Sequence, residues 1–481
     1  MPIAARVPKR LPCTVALLAA AFALFAPGPT RAADPGVLET VTIEGETYRF
    51  ASEDKLRAWG LDTITIPPER NAAWTYLRAF EAMKYYPEDD VDDTWGHVWS
   101  HGYNGEFPLV DAWLDKNARA IGLLHKAGAM PECRFPLIDA EALVLHDITP
   151  LTAARVAGKM LSADAARHVA RGRHREAVRS LEAIFRLARH SGDGGFLIDN
   201  LVGRSIFVLG HSRLIDVVGR HGLSSTHLAR VADLLRQYRD TRPRIKEVMR
   251  RERLFGEQAG EEVWAGKFDE TVDELMGNDL LKNFDFPIPL GARPEVRPLR
   301  AAIGVDGVRA LLPDRTLGRY YETLFDRLFA LAERPAWELA RGADPQVLLA
   351  EVPEWAVDVR DSFRMIEGAF GGLGYERVRL DLTEVYVAVL RYRKANDKLP
   401  DTLADLVPRY LPALPKDEWD RKGRPLRYTR TNDPAGFVVY SIGPNEKDDG
   451  GKVLTANIVK TDGDQGLAWP PPPLPDHRPQ D

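Results

Sequence analysis

Apolar residues at helical spacing fill the middle of the chain, and this periodicity limits the fold more than any other feature. Two such stretches follow one another within residues 151–190, with Gly172 between them. The first stretch carries alanines on one face, among them Ala153, Ala154 and Ala157, and small side chains let a second helix approach closely. Because glycine permits the tight turn between the two stretches, we predict an antiparallel helical hairpin.

The same pattern extends the prediction to a larger helical domain. Asn71 stands where it can cap a helix, and helical spacing recurs to about residue 370, interrupted by a proline-rich loop over residues 285–298. We therefore predict a mainly α protein, with a multi-helix antiparallel bundle over residues 71–370. A short β segment over residues 33–70 precedes the bundle, because β-branched residues alternate around a glycine turn there.

The first 32 residues have the order of a secretory signal peptide. Arg6, Lys9 and Arg10 precede an apolar stretch over residues 14–26, and a Pro-Gly-Pro break and small residues follow, up to Ala32. The apolar stretch is shorter than the roughly 20 residues that a membrane-spanning helix needs. We therefore predict a signal peptide over residues 1–32 that is cleaved, and a mature protein in the periplasm or outside the cell, with no integral membrane span.

Charge and cysteine content narrow the function classes. Without residues 1–32 the chain keeps 61 basic and 70 acidic residues, a formal net charge of −9. Proteins that bind nucleic acids present basic faces, so an acidic chain of this kind is not expected to bind them. The mature chain keeps one cysteine, Cys133, which excludes an internal disulfide and favours a buried structural thiol.

The last hundred residues carry motifs of a different kind. In chain order these are a helical stretch at 375–393, Leu-Pro at 399–400, Leu-Pro-Lys-Asp-Glu-Trp at 414–419, Arg-Pro-Leu-Arg-Tyr at 424–428, Tyr-Ser-Ile-Gly at 440–443 and Asp-Asp-Gly-Gly at 448–451. This order resembles the globular head of the major pseudopilin of type II secretion. The resemblance implies a small α+β module over residues 371–469. Gly371 and Gly372 provide a joint before it, and a proline-rich tail over residues 470–481 follows.

Two features depart from the pseudopilin pattern. The helix before the module lies in mid-chain and carries Glu376, Arg377 and Asp381, whereas a filament subunit begins with a long hydrophobic helix. Asn457 stands where the family's closing aspartate is expected. The chain is therefore not expected to be an ordinary filament subunit, and its C-terminus equally resembles the ends of long exported bacterial proteins.

The resemblance also implies a calcium ion, because the polar loop of the pseudopilin binds one. The residues that would hold the ion are Asp448, Asp449, Asp462 and Asp464. Calcium takes about 6–8 oxygen ligands from carboxylates and carbonyls, and the glycines beside two of these aspartates let the backbone bend around an ion. The alternative is a glycine-rich turn whose acidic side chains face water.

No catalytic residue is predicted. His97 and His101 have the spacing of two zinc ligands on one helical face, but Val98 stands where a metalloprotease needs a glutamate as general base. The Gly-Arg-Ser run at 203–205 lies in helical pattern, not at the strand-to-helix turn of a hydrolase nucleophile.

The sequence thus favours an exported, non-catalytic envelope protein: a protein-binding scaffold with a calcium-stabilised pseudopilin-like module and a protein partner. The alternative is a periplasmic hydrolase with an acidic site in the helical domain, for which Glu257, Glu261 and Glu262 are candidates. A pocket that gathers acids and histidines from several helices would favour the enzyme. A broad apolar groove would favour the binding protein. The oligomeric state is not predicted.

Overall fold

The computed structural model describes most of the chain between residues 38 and 472. The described residues are 38–85, 98, 103, 107–140, 148–266, 297–298, 301–302, 304, 317–352, 357–432, 435–452 and 463–472, except Ile64, Gly194 and Ala343. The predicted signal peptide, His97, His101, Asp462 and the tail beyond residue 472 lie outside these ranges.

The described part of the chain is mainly helical, as predicted. Its helices are α1 (Glu53–Ala58), α2 (Ala72–Ala82), α3 (Pro108–Lys116), α4 (Ala118–Gly128), α5 (Thr149–Ala170), α6 (His174–Gly192), α7 (Leu197–Arg220), α8 (Ser225–Thr241), α9 (Ile245–Trp264), α10 (Leu317–Leu331), α11 (Ala336–Gly342), α12 (Pro345–Leu348) and α13 (Val357–Asn396). A 3-10 turn covers Leu403–Leu406. The strands are β1 (Thr40–Ile43), β2 (Glu46–Arg49), β3 (Arg427–Asn432), β4 (Ala435–Ser441) and β5 (Gln465–Trp469).

The N-terminal hairpin and the first predicted helix cap are confirmed. Strands β1 and β2 pair antiparallel, and Glu44 and Gly45 turn the chain with φ angles of 53° and 91°. Asn71 is fully buried and accepts a hydrogen bond from the N–H of Ala73 at 3.1 Å, which caps α2. Its amide also donates to the carbonyl oxygen of Arg134 at 2.9 Å, so the cap fixes a distant segment as well.

The predicted helical hairpin is formed by α5 and α6. Gly172 turns the chain between them with a φ of 69°, and α7 packs against both helices. Gly158 on α5 shows how closely α7 approaches, because a Cβ atom at that position would lie 3.1 Å from the side chain of Ile206. Small residues on α5 therefore permit the tight packing of all three helices. We call α2 to α9 the helical body.

Helix α13 corrects one prediction. The joint expected at Gly371 and Gly372 was wrong, since α13 continues through both glycines as a single helix of 40 residues. The glycines serve close packing instead of a bend. A Cβ atom at Gly372 would overlap the guanidinium group of Arg204, and one at Gly374 would lie 2.8 Å from the Cβ atom of Ala336.

The C-terminal unit comprises α13 from Tyr375 onward, the 3-10 turn and a three-stranded antiparallel sheet in the order β3-β4-β5. Helix α13 lies against the sheet, where the rings of Tyr386 and Phe437 are 5.4 Å apart. The same helix packs against α8 and α11. One buried apolar core extends from Val41 to Leu467, so the helical body and the C-terminal unit share an interior.

None of the helices in the described part of the chain combines the length and the apolar character that crossing a bilayer requires.

Candidate functional site

Three of the predicted ion ligands lie in one polar loop region, which we call the acidic turn (residues 445–452 together with Asp464). The Asp464 carboxylate is 7% exposed and accepts hydrogen bonds from the N–H groups of Asp449 at 3.3 Å and Gly451 at 2.7 Å. Gly450 and Gly451 have φ angles of 79° and 74°, which let the backbone fold around this carboxylate. Burial raises the pKa of Asp464 against the opposing effect of these two hydrogen bonds.

Arg427 ties the acidic turn to the motif run at 414–419. Its Nε atom lies 2.9 Å from Asp448, and its two terminal nitrogens lie 2.7 Å from Asp417 and from Asp420. Asp417 is 2% exposed and also accepts hydrogen bonds from the hydroxyl of Ser441 and the N–H of Ile442. One guanidinium group thus joins three carboxylates from two separate motifs. Sequence reasoning missed this role of Arg427.

Asp448 holds protein donors on both oxygens. Beyond Arg427, it accepts hydrogen bonds from the hydroxyl of Tyr440 at 3.2 Å and from the N–H of Gly450 at 3.1 Å. Burial alone would raise the pKa of Asp448, but these contacts and the arginine charge outweigh it and lower the pKa. The side chain is therefore ionised at neutral pH.

The structure brings three of the four predicted calcium ligands to the acidic turn: Asp448, Asp449 and Asp464. Asp462 lies outside the described residues. Carboxylate oxygens are the ligand type that calcium prefers, so the chemistry of the turn fits the ion, although several of these oxygens hold protein donors. Among the described residues no group of three or more His, Cys, Asp or Glu side chains is arranged to hold a metal. The calcium site stays a prediction.

A larger concave site lies between the helical body and α13. This cation-lined cleft has a volume of about 540 Å³. Its basic lining residues are Arg204, Arg239, Arg242, Arg244, Lys246 and Arg377, and its acidic ones are Asp240, Glu247, Glu333 and Glu376. Because basic side chains outnumber acidic ones, six to four, the cleft presents a net positive charge inside an acidic protein.

Half of these cations hold α13 in place. Arg204 on α7 pairs with Glu376 at 3.1 Å, and Arg239 on α8 contacts Asp381 at 2.6 Å and Glu384 at 2.9 Å. Arg377 pairs with Glu418, in the motif run at 414–419, at 2.9 Å. The pairs of Arg204 and Arg239 attach α13 to the helical body, whereas the Arg377–Glu418 pair lies within the C-terminal unit. All three cations line one wall of the cleft.

The other three cations, Arg242, Arg244 and Lys246, lie on the turn from α8 to α9. None of them forms an ion pair with a described residue, and Arg242 and Lys246 are half-buried while Arg244 is exposed. Helix α9 begins at Ile245 between them, which adds the partial positive charge of a helix N-terminus. Asn200 also lines the cleft; it is 4% exposed and its side-chain oxygen has no hydrogen-bond partner.

A smaller pocket lies between the α1 region and the helical body. This body pocket has a volume of about 60 Å³, and its lining combines the polar residues Asp62, Arg134, His190, Ser191, Asp199 and Arg251 with mostly apolar side chains. His190 is buried, and its Nδ1 atom lies 3.1 Å from the hydroxyl of Tyr76. Burial lowers the pKa of His190 to about 3, so the imidazole is neutral and a poor general base at neutral pH.

Two half-buried carboxylates stand near this pocket at the start of α7. Asp199 accepts a hydrogen bond from the N–H of Phe196 at 2.7 Å, and Glu252 accepts one from the N–H of Leu197 at 2.8 Å. Burial raises the pKa of Asp199 to about 6, and burial together with the Asp199 charge raises that of Glu252 to about 7. Sequence reasoning named other glutamates of α9 and missed these two, although the spacing of Phe196 and Asp199 is that of a capping box.

A buried polar cluster in the helical hairpin has the residue types of a nucleophilic triad but not its access. The hydroxyl of Ser180 donates to Asp164 at 2.7 Å, and the Nε2 atom of His168 lies 3.4 Å from the same carboxylate. Ser180 is fully buried, so a substrate does not reach its oxygen. Cys133 is buried with a free thiol, as predicted, and burial raises its pKa.

Comparisons with protein-family models, with curated protein sequences and with solved structures find no match.

Proposed function

We propose that this protein is an exported, non-catalytic binding scaffold of the cell envelope, whose cation-lined cleft takes an acidic segment of a partner protein. The observation that carries the proposal is the set of three cations, Arg242, Arg244 and Lys246, without an ion-pair partner at a concave surface. Carboxylates from a partner would supply the charges that the cleft lacks. Hydrogen bonds between charged groups contribute about 1.5–3 kcal/mol each.

The shape of the cleft supports a protein segment over a small anion. Its volume of about 540 Å³ accommodates several side chains, and its lining comes from α6 to α9 and from α13, so a bound segment would contact both halves of the molecule. Cations at the rim of an interface also attract an acidic partner from a distance and accelerate association.

The C-terminal unit is proposed to be a pseudopilin-like module with a changed role. Helix α13 crosses a three-stranded antiparallel sheet, and Asp417 hydrogen-bonds Ser441, which joins two of the motifs on which the resemblance rests. The outer face of α13 packs on α8 and α11, so this face is not available for packing in a filament. The module would instead form a wall of the cleft.

The alternative function, a periplasmic hydrolase, has the body pocket in its favour. That pocket gathers Asp199 and His190 from different helices. However, Asp199 caps α7 and His190 is a weak base, and a hydrolase needs a base and a positioned water or nucleophile. The cleft therefore supports the binding function better.

Peptide binding tests the proposed function directly. A labelled peptide rich in Asp and Glu, titrated with the mature protein, is expected to bind, and binding should weaken as salt rises. The triple variant Arg242→Gln, Arg244→Gln, Lys246→Gln should lose at least tenfold in affinity, equivalent to about 1.4 kcal/mol.

The matched control removes three exposed cations, one just before α6 and two within it, with Arg173→Gln, Arg175→Gln and Arg179→Gln. The control changes the net charge equally and should keep most of the affinity. Equal losses in the two triple variants would show a general charge effect and refute the cleft as the binding site.

We also propose that calcium binds at the acidic turn, and melting temperatures test this separately. Millimolar calcium should raise the melting temperature, because a ligand that binds only the folded state stabilises it, and equal magnesium should not. Asp448→Asn with Asp449→Asn should abolish the rise, whereas Asp54→Asn on the exposed face of α1 should keep it. A flat calcium titration would remove the ion and leave the peptide-binding proposal standing.

A further inference from the structure

The body pocket has walls suited to a small apolar group. Its apolar lining includes Leu56, Leu61, Phe135, Leu137, Ile148 and Leu151. A water molecule needs roughly 10–15 Å³ of such space, so a pocket of about 60 Å³ holds about four to six non-hydrogen atoms. This size suits a metabolite with a short aliphatic chain and excludes a peptide.

The lining of the body pocket includes the hydroxyl of Ser191, which has no hydrogen-bond partner in the protein. Ser191 is 2% exposed. Burying a hydroxyl without a partner costs free energy. A pocket ligand with an acceptor atom would supply the missing hydrogen bond.

Arg134 contributes a cation to the same lining. Its backbone N–H donates to Asn71, but its side chain, on a half-buried residue, forms no ion pair with a described residue. Burial and the charge of Arg251 lower the pKa of Arg134 against the opposing effect of Asp199, Asp62 and Asp193, as expected for a cation partly removed from water with no acid at ion-pair distance. A carboxylate in the pocket would supply a direct ion pair.

The remaining charged groups around the pocket have other roles. Arg251 donates to the carbonyl oxygen of Asp193 at 3.3 Å, Asp199 caps α7, and Asp62 is exposed to solvent. Among the lining residues, Ser191 has a buried hydroxyl without a hydrogen-bond partner, and Arg134 has a guanidinium group without an ion pair to a described residue.

We propose that the body pocket binds a short aliphatic carboxylate, with its carboxylate on Arg134 and Ser191 and its alkyl chain among the leucines. This site is separate from the cation-lined cleft and does not depend on the proposed function. Short fatty acids and small apolar amino acids share this chemistry. An amino acid would add an ammonium group, for which the lining offers the carboxylates of Asp62 and Asp199.

Calorimetric titration of the mature protein with sodium butyrate and with L-alanine tests the proposal. Saturable binding of at least one is expected below about 20 mM, and n-butylamine, which carries the opposite charge on the same chain, should not bind. Ser191→Ala should weaken binding about fivefold and Arg134→Gln at least tenfold. Butyrate binding alone identifies a fatty-acid site, and alanine binding alone identifies an amino-acid site.

Stability separates a binding role of Ser191 from a structural one. Because its buried Oγ atom has no partner in the protein, Ser191→Ala should leave the melting temperature unchanged or raise it while binding weakens, and this variant keeps the test valid if Arg134→Gln does not fold. Arg175→Gln on the exposed start of α6 is the matched control and should bind as the unmodified protein does. Absence of saturable binding by both carboxylates, or an equal loss in the control, would overturn the proposal.

Discussion

The acidic turn and the cation-lined cleft are both rich in charge, yet their charges are arranged in opposite ways. At the turn, Arg427 holds three carboxylates at 2.7–2.9 Å. At the cleft, Arg242, Arg244 and Lys246 hold none among the described residues. Charges with internal partners fix the conformation of the chain, whereas unpaired cations at a concave surface remain available to a ligand. The difference separates residues that serve folding from residues for which we propose a binding role.

Removing Arg427 should give the largest effect. Arg427→Gln leaves the buried Asp417 without a cation and the buried Asp420 with Arg424 alone, and breaking a buried ion pair by removing one partner costs about 3–5 kcal/mol. Urea unfolding is expected to show this loss of stability. Arg424→Gln is the control, because Arg424 is exposed and contacts Asp420 alone. Equal free energies of unfolding for the two variants would show that the Arg427 network stabilises the fold no more than the single exposed contact of Arg424 does.

The start of α7 should respond to pH in the direction that its raised pKa values set. Glu252 has an ordinary value of 4.5 and a folded pKa of about 7. The folded state therefore favours the protonated form, and the stability it contributes is complete below about pH 4.5 and lost as pH rises through 7. Glu252→Gln keeps the acceptor for the N–H of Leu197 without the charge.

Urea unfolding across this pH range measures the effect. The variant should match the unmodified protein near pH 4 and exceed it by about 2 kcal/mol at pH 8. If the stabilities of the variant and the unmodified protein differ by the same amount from pH 4 to 8, the pKa of Glu252 is not raised in the folded state.

A substitution at Gly374 should show how closely α13 packs against α11. Gly374→Ala places a Cβ atom 2.8 Å from the Cβ atom of Ala336, and overpacking of this kind costs about 1–3 kcal/mol. Gly122→Ala is the matched control, because nothing lies within 4 Å of the added atom in α4. The control should gain up to about 1 kcal/mol from helix propensity. Similar results for both variants would place α13 farther from α11 than described.

The sequence predicted features that depend on neighbouring residues. Gly172 in the helical hairpin, the Asn71 cap and the N-terminal β segment all follow from local pattern, and the structure shows each of them. Gly371 and Gly372 misled the prediction, because glycine permits a bend or a close approach and the sequence does not show which helix approaches.

The cleft and the body pocket were not predictable in the same way. Arg204 and Glu376 lie 172 positions apart in the chain, and Arg239 and Asp381 lie 142 apart, so their pairing appears only when α13 packs on the helical body. Ser191 and Arg134 likewise line one pocket only after the chain has packed. Which residues such contacts leave unpaired therefore depends on the tertiary structure and does not follow from local sequence pattern.

The cleft cations should give the smallest effect on stability, and this outcome completes the comparison with Arg427. Replacing Arg242, Arg244 and Lys246 by glutamine removes three charges but no ion pair with a described residue. Surface substitutions that break no contact change stability by about 0.5 kcal/mol or less, and relief of repulsion between neighbouring cations makes a small gain the expected sign. The gain should be measurable by urea unfolding at low salt and should vanish at high salt, because salt screens exposed charges. A loss as large as that of Arg427→Gln would show that these cations hold the fold together, and would remove the distinction on which the binding function rests.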